Sequence, residues 1–354
     1  MRVVAAMSGG VDSSVAAALL KEAGHEVIGL SMQLYDQRGE AGAQFGTCCT
    51  LDDLYDARRV ARAIGIPHYI VNFEREFNDE VVADFVREYV SGRTPIPCVH
   101  CNSDLKFSTL LDRAEGFGAE AVATGHYARV DRDERGHVRL RRGIDTAKDQ
   151  SYFLFSLTPA QLERAAFPVG ELHKDVVREH ARRLGLSVAE KKDSYEICFV
   201  PDGDYASFVE RHAPETLSPG VVTDRDGRVV GRHEGTHRFT IGQRKGLGVS
   251  ATIPLYVVDI RPDEHKVVVG PREALERVGM AASRVNWISG EPPASPIRAA
   301  VQIRHRHAAS AAIVTPVGPH RVEVTFDTPQ PAITPGQATV FYDGDIVLGG
   351  GWID

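Results

Sequence analysis

The stretch Met7–Ser14, MSGGVDSS, constrains the fold most. It follows a short apolar run, Arg2–Met7, that reads as a buried strand, and it opens a helical stretch, Ser14–Ala23, stopped by Gly24. A glycine-rich turn between a strand and a helix aims free backbone N–H groups and the positive end of the helix dipole at whatever lies there. Gly9 and Gly10 let the backbone approach a phosphate closely, and Ser8, Ser13 and Ser14 add hydroxyl donors. Asp12 is a candidate to help hold Mg2+. The pattern GxxxxGK followed by Ser or Thr is absent, and the loop has no lysine of its own to reach a γ-phosphate. Such a loop suits gripping pyrophosphate while chemistry occurs at the α-phosphate, which is adenylation and not kinase chemistry. A turn with no ligand is the plain alternative, but it leaves the placement of the serines and the aspartate without a reason.

The rest of the first two hundred residues alternates strand and helix. Glu26–Met32 reads as a second strand. Thr50 with Asp53 forms a capping-box start for a helix through Ile64, ended by Gly65 and Pro67. His68–Phe73 is a third strand, Glu76–Val90 a long helix, Lys106–Glu115 another, and Ala121–His126 a fourth strand. This order predicts an α/β doubly wound parallel sheet. A charged hairpin, ARVDRDERGHVRLRRG, interrupts it. Thr158-Pro159-Ala160-Gln161 then starts a helix, and Lys174–Leu184 forms one more, ended by Gly185. The texture changes after about Pro201. From Gly220 onward short alternating strands are separated by turn signals such as Asp226-Gly227, Pro262-Asp263 and Asp343-Gly344. The expected division is an ATP-binding catalytic domain (1–201), a small central β-rich domain (202–275) and a C-terminal β-barrel (276–354), in keeping with a chain of 354 residues.

Five cysteines raise the question of chemistry: Cys48, Cys49, Cys98, Cys101 and Cys198. The opening MRVVAAMSGG lacks the parts of a signal peptide, and no apolar run approaches a membrane span, so a cytoplasmic protein without a membrane partner is expected. Static disulfides are disfavoured in that compartment. Net charge is −7, so a nucleic-acid partner would need a local basic patch. Cys98 and Cys101 stand in TPIPCVHCN, read as a loop broken by two prolines. A CxxC pair alone fits half a zinc site, a redox pair, part of an iron–sulfur site or a nucleophile with a helper. Zinc wants four ligands, usually as two close pairs, and Cys198 has no close partner in sequence. A thioredoxin-like redox pair needs a different βαβ setting. Cys48 and Cys49 read as structural or incidental.

The set SGGVDSS, CNSDLKF, GHYARV, KDQSYFL, KKDSYEICFVPDGDY, GQRKGLG and TPGQATVFYDGDIVLGGG resembles the bacterial tRNA-specific 2-thiouridylases along essentially the whole chain. SGGVDSS by itself resembles the wider pyrophosphatase-loop ATP enzymes. The resemblance implies a three-domain enzyme that uses ATP to adenylate O2 of the wobble uridine of certain tRNAs, those for Lys, Glu and Gln. Sulfur then arrives from a cysteine persulfide. It implies Cys198 as the persulfide carrier, Cys101 as partner nucleophile, and a transient Cys101–Cys198 disulfide. It implies ATP contacts from Ala6, Met7, Ser8, Gly9, Gly10, Val11, Asp12, Ser13, Met32 and Gly125. It implies tRNA contacts from Ile96, Pro97, Cys98, His126, Lys148, Asp149, Gln150, Arg304, His305 and Gln337. A sulfur donor, either a cysteine desulfurase or a sulfur-relay protein, is a further implied partner. An anticodon loop suits this target, because its bases are single-stranded and can be splayed out.

Two departures stand out. Where well-known members carry an aspartate three residues before the first cysteine, assigned acid/base work, this chain has Cys98. Cys98 is then either an auxiliary thiol, or it joins Cys101 and Cys198 as ligands of a 4Fe–4S cluster, as in some related thiolases. The segment DSYEICF also lacks the Thr-Gly that precedes Ile-Cys in some members. Two rival functions remain. Another adenylating synthetase of the same ATP group would give no reason for Cys101 and Cys198. A non-catalytic RNA-binding protein would have no need of an intact SGGVDSS.

Overall fold

A computed structural model describes residues 1–34, 50–193, 197–200, 202–214 and 217–354. Cys48 and Cys49 lie outside these residues. The first domain is built on β1 (Arg2–Ala6), β2 (Glu26–Gln33), β3 (His68–Asn72), β4 (Ala121–Ala123) and a two-residue strand considered below. The central strands are apolar on both faces because helices cover both, and Val3, Val4, Val27, Leu30 and Val122 are buried. Helix α1 (Val11–Glu22) follows β1, and α2 (Leu51–Ile64) precedes β3. The capping box at α2 is present, with Thr50 Oγ1 accepting from Asp53 N, and Gly65 ends the helix at φ +70°.

The charged hairpin forms β5 (Ala128–Arg132) and β6 (Val138–Arg142), and β7 (Ala165–Ala166) completes the parallel sheet. Strand order is β3-β2-β1-β4-β7, with every neighbouring pair parallel. The chain therefore runs outward from β1 to β2 and β3, then returns to lay β4 on the other side of β1. The crevice between the carboxyl ends of β1 and β4 is the switch point at which such sheets hold ligands.

The central domain opens with a helix, Tyr205–His212, capped by Asp204. It continues as a four-stranded sheet, β8 (Gly220–Thr223), β9 (Val229–His233), β10 (Tyr256–Arg261) and β11 (Lys266–Gly270), in the order β10-β11-β8-β9. The last domain is β12 (Glu276–Trp287), β13 (Ile297–Gln302), β14 (Ser310–Gly318), β15 (Arg321–Pro331), β16 (Ala338–Asp343) and β17 (Ile346–Ile353). These strands run β12-β15-β14-β13-β16-β17, and β12 also pairs with β17, which closes the barrel. In β15 Val322, Val324 and Phe326 face the barrel core while Arg321, Glu323 and Thr325 face out.

Two features differ from the sequence expectation, at β4 and at the CxxC segment, and one, at the hairpin, adds to it. Strand β4 stops at Ala123, because Thr124–His126 turn away to meet α1. The hairpin β5–β6 does not stand alone: β6 pairs with β17 and extends the barrel sheet, fastened by Arg129 and Arg141 on Asp345. The CxxC segment is not a loop. It is helical from Pro97 to His100 and continues as a π-helical stretch, Cys101–Thr109, into Leu110–Gly116. Pro97 at the first helical position is compatible with helix initiation, since the missing N–H has no partner to lose there. The long helix before it also contains a π-helical stretch, Asn78–Val82, between Glu74–Phe77 and Ala83–Val90, and the two π stretches pack against each other.

Candidate active site

The turn after β1 is held by its own serines. Ser13 Oγ accepts from Ser8 N (3.2 Å) and donates to Gly10 O (3.2 Å), and Ser14 Oγ donates to Gly10 O (2.8 Å). Gly10 is the N-cap of α1 and brings no side-chain cap, so the helix N-terminus stays open to an anion. Gly9 sits at φ +75°, and a β-carbon there would stand 2.2 Å from the Asp53 carbonyl oxygen at the start of α2. Gly125, just past β4, packs its backbone on α1: a β-carbon there would stand 2.4 Å from Ser13 N. The two glycines bring the loop, the start of α2 and the end of β4 into one crevice. Ala6 closes β1, Met7 is buried with its N–H on Leu30 O (2.8 Å), and Val11 and Met32 are buried beside them.

A shell of cations surrounds the loop. Lys174 Nζ donates to both oxygens of Asp12 at 2.8 Å and also pairs with Asp193 at 2.8 Å. Tyr127 OH donates to Asp12 Oδ1 at 2.8 Å. Burial and the Asp12 charge push the Tyr127 phenol far above its ordinary range, which keeps it a donor. Asp193 also takes Lys148 (2.7 Å) and Arg178 (3.3 Å). Burial alone would raise the Asp193 carboxyl, but the hydrogen bonds from Lys148 and Lys174 outweigh it and the net shift is downward. On the other side Lys191 Nζ reaches Gly9 O (3.0 Å), Asp53 (2.5 Å) and Asp56 (2.6 Å). Lys174 and Lys191 thus place two ammonium groups beside a loop that has no lysine of its own. Neither Lys174 nor Asp193 carries a local signal, since both arrive through long-range packing. Lys191 stands in the segment that holds Cys198, and only the fold shows that it reaches the loop.

His126 follows Gly125. Its Nδ1 lies 2.7 Å from Thr124 Oγ1 and its ring meets Phe167 edge-on at 6.1 Å. Burial, and then the nearby Lys106 ammonium, push its pKa well below 6.5, so it is neutral at physiological pH. Lys106 donates to Asn102 Oδ1 (2.9 Å), one helical turn beyond Cys101. The helix that carries Cys101 therefore reaches the end of β4. Cys98 is exposed, and Cys101 and Cys198 are half-buried. Cys101 and Cys198 both pack against the same core, which includes Phe77, Phe85 and Leu105. Phe199 pins the Cys198 turn in place, with its ring 5.5 Å from Phe77, 5.0 Å from Phe85 and 5.2 Å from Phe208. His100, between the two cysteines of the CxxC, has Nδ1 2.9 Å from Asp104 and Nε2 3.5 Å from Asp84.

The residues expected to meet tRNA divide into two groups. Arg304 and Cys98 are exposed, and Lys148 joins the ion network at Asp193. The others are engaged within the protein. Asp149 accepts from Arg142 Nη1 (2.8 Å), Gly143 N (3.0 Å), Ser151 N (3.1 Å) and Ser151 Oγ (3.0 Å). Gln150 Oε1 accepts from Tyr127 N (3.0 Å), and the His305 ring lies 4.4 Å from that of Phe153. Pro97 is buried, Ile96 is half-buried, and Gln337 donates to Thr94 O (2.9 Å).

Metal binding gets no support from this arrangement. Among the described residues no three His, Cys, Asp or Glu side chains gather in a way that could hold a metal ion. Cys98, Cys101 and Cys198 therefore do not present the ligand set of a 4Fe–4S cluster. Asp12, the carboxylate expected to help with Mg2+, has both oxygens on Lys174.

The histidines make one solution property predictable. His68, His126, His233, His305 and His307 are all pushed below 6.5, in each case by burial first. Near that pH the unfolded chain takes up protons that the folded one refuses. Stability then rises with pH through this range and falls as pH drops below the unfolded value. Melting at about pH 5.5 is expected several degrees below that at about pH 7.5, a window above the carboxylate range. An equal or higher midpoint at the lower pH would contradict the assignment.

Three family models cover the chain: "tRNA methyl transferase HUP domain" over residues 1–202, "tRNA methyl transferase PRC-barrel domain" over 206–271 and "Aminomethyltransferase beta-barrel domain" over 277–353. The tRNA-specific 2-thiouridylase MnmA of Geotalea uraniireducens (strain Rf4) is 54% identical over 356 residues, covering 100% of this chain and 95% of that protein. The 2-thiouridylase MnmA of Solibacter usitatus (strain Ellin6076) is 54% identical over 366 residues, covering 99% of each. Among solved structures, a 4-thiouridine synthetase–RNA complex with bound ATP overlaps at a TM-score of 0.35 and 16% identity, covering 61% of this chain and 51% of that one. That overlap is too slight to place anything on this chain. Identity above half along the full length does more, and by it the chain belongs to the tRNA-specific 2-thiouridylase family.

Proposed function

We propose that this chain is an ATP-dependent tRNA-uridine 2-sulfurtransferase acting on the wobble uridine. The observation that carries the reading is one domain that joins an anion-gripping loop at the sheet's switch point to two cysteines, Cys101 and Cys198, on a shared core. The loop amides and the open N-terminus of α1 would hold the pyrophosphate portion of ATP, with Lys174 and Lys191 close by. The uridine O2 attacks the α-phosphorus, pyrophosphate leaves, and C2 becomes electrophilic. The outer sulfur of a Cys198 persulfide attacks C2 and AMP departs with the former O2. The Cys101 thiolate then attacks the inner sulfur on Cys198. The S–S bond breaks, its electron pair stays on the sulfur attached to C2, and a Cys101–Cys198 disulfide forms. A cellular thiol reductant returns that disulfide to two thiols for the next cycle.

Mg2+ would enter on the triphosphate, since it keeps most of its ligands from phosphates and water. The 4Fe–4S alternative has no fitting ligand set among the described residues, so sulfur is assigned to the persulfide. Cys98 then serves as an exposed auxiliary thiol where other members carry an aspartate. We further propose the division into 1–201, 202–275 and 276–354, with tRNA meeting Lys148, Arg304 and the CxxC helix. The substrates would be the tRNAs for Lys, Glu and Gln, and the donor a desulfurase or relay protein. A cytoplasmic location fits these partners. No helix among the described residues is long and apolar enough to cross a membrane. The test is nucleoside analysis of unmodified tRNA incubated with the protein, ATP and a persulfide donor. 2-Thiouridine should appear only when all are present. Its absence with a competent donor would sink the reading, and its appearance without ATP would remove the adenylation step.

A further inference from the structure

The segment that leads into the cysteine helix, Arg93-Thr94-Pro95-Ile96-Pro97, cannot hold itself in place. Its two prolines remove two backbone donors, while its carbonyls still need partners. The C-terminal barrel provides them. Gln337 Nε2 donates to Thr94 O (2.9 Å) and to Pro95 O (3.3 Å). Thr94 N donates to Pro335 O (2.9 Å), and Arg93 Nη2 donates to Ile353 O (2.9 Å) while Glu88 holds its Nε (2.8 Å). Beyond the segment the His100 ring lies 5.4 Å from Trp352 at 30°, and Trp352 is buried, with Phe155 at 5.3 Å and Arg284 at 4.5 Å from its ring. Thr94 Oγ1 also meets Thr240 Oγ1 of the central sheet domain at 3.3 Å. All three domains therefore converge on Thr94, four residues before Cys98.

We propose that Gln337 is a positioning residue for sulfur transfer, acting through the Thr94–Pro95 backbone to fix where Cys98 and Cys101 stand. An amide nitrogen committed to two protein carbonyls has no free donor to offer RNA, and only its oxygen remains. The role also links the barrel to the thiols: whatever shifts the Pro335–Gln337 turn shifts the start of the cysteine helix. The inference rests on the sulfur-transfer reading given above.

Gln337→Met keeps the side chain's length and deletes both donors, and Gln337→Glu puts an acceptor where donors are needed. In each, the kcat for 2-thiouridine formation is expected to fall about tenfold while the KM for tRNA stays within about twofold, the pattern of misplaced reacting groups. In the tRNA-free protein, iodoacetamide alkylation followed by peptide mass spectrometry should show the rates at Cys98 and Cys101 changed about threefold or more. The thermal unfolding midpoint should stay close to that of the wild-type protein, which serves as the control against general unfolding. A raised KM with unchanged kcat and unchanged alkylation would make Gln337 an RNA contact and overturn the proposal. Wild-type values throughout in both variants would overturn it as well. Alkylation needs no turnover, so failure of the wild-type protein to thiolate would remove the sulfur-transfer reading while the clamp is still judged by the labelling.

Discussion

Cys198→Ser is expected to lower 2-thiouridine formation by about 10³-fold or more while leaving tRNA-dependent exchange of pyrophosphate into ATP in place. A serine oxygen cannot carry a transferable sulfur, so the second half of the reaction has no donor. The first half is assigned to the Met7–Ser14 loop and the lysines beside it, which this substitution leaves in place. The side chain is half-buried in a turn that Phe199 anchors, and serine is close to isosteric, so the fold should persist. Thiolation surviving this change would remove the persulfide from Cys198. Loss of exchange together with thiolation would show that Cys198 serves the nucleotide site instead.

Gly9→Ala should have an effect of similar size on the other half of the reaction. Gly9 holds φ +75°, a conformation that L side chains rarely adopt, and the added methyl would stand 2.2 Å from the Asp53 carbonyl oxygen. Asp53 is fixed on both sides, by the capping box with Thr50 and by Lys191, so it cannot move aside cheaply. The loop must move instead, which displaces the amides that would face the phosphates and breaks the Lys191 contact to Gly9 O. Pyrophosphate exchange is expected to fall about a hundredfold, and stability by about 1–3 kcal/mol. Sulfur loading of Cys198 from a persulfide donor should continue. Exchange within twofold or so of wild type would mean that the loop does not hold the triphosphate.

What the sequence made legible was local. Thr50 with Asp53 and Thr158 with Gln161 announce two helix starts, and both capping boxes are formed. Gly65 and Gly185 announce two helix ends, and both adopt positive φ. The SGGVDSS loop is readable because strand, glycines and helix follow one another directly. What stayed hidden is non-local or depends on competing signals. The prolines of TPIPC suggested a loop, yet Pro97 is the first residue of a helix that carries both cysteines. The hairpin Ala128–Arg142 is readable as a hairpin, but only the fold shows β6 paired with β17, two hundred residues later. Lys174 joins Asp12 to Asp193, and no spacing rule anticipates contacts of that range. The internal partners of Asp149 were equally silent in the sequence: its carboxylate accepts from Arg142, whose guanidinium stacks on Tyr342 at 3.6 Å.

The central claim is that O2 of the uridine is activated on the α-phosphate of ATP and leaves with AMP. The most direct measurement uses tRNA whose wobble uridine carries oxygen-18 at O2, with ATP and a persulfide donor. After turnover, AMP, pyrophosphate and water are examined by mass spectrometry. One oxygen-18 in the AMP phosphoryl group for each 2-thiouridine formed is the result predicted. Label in pyrophosphate or in water, with AMP unlabelled, would contradict it.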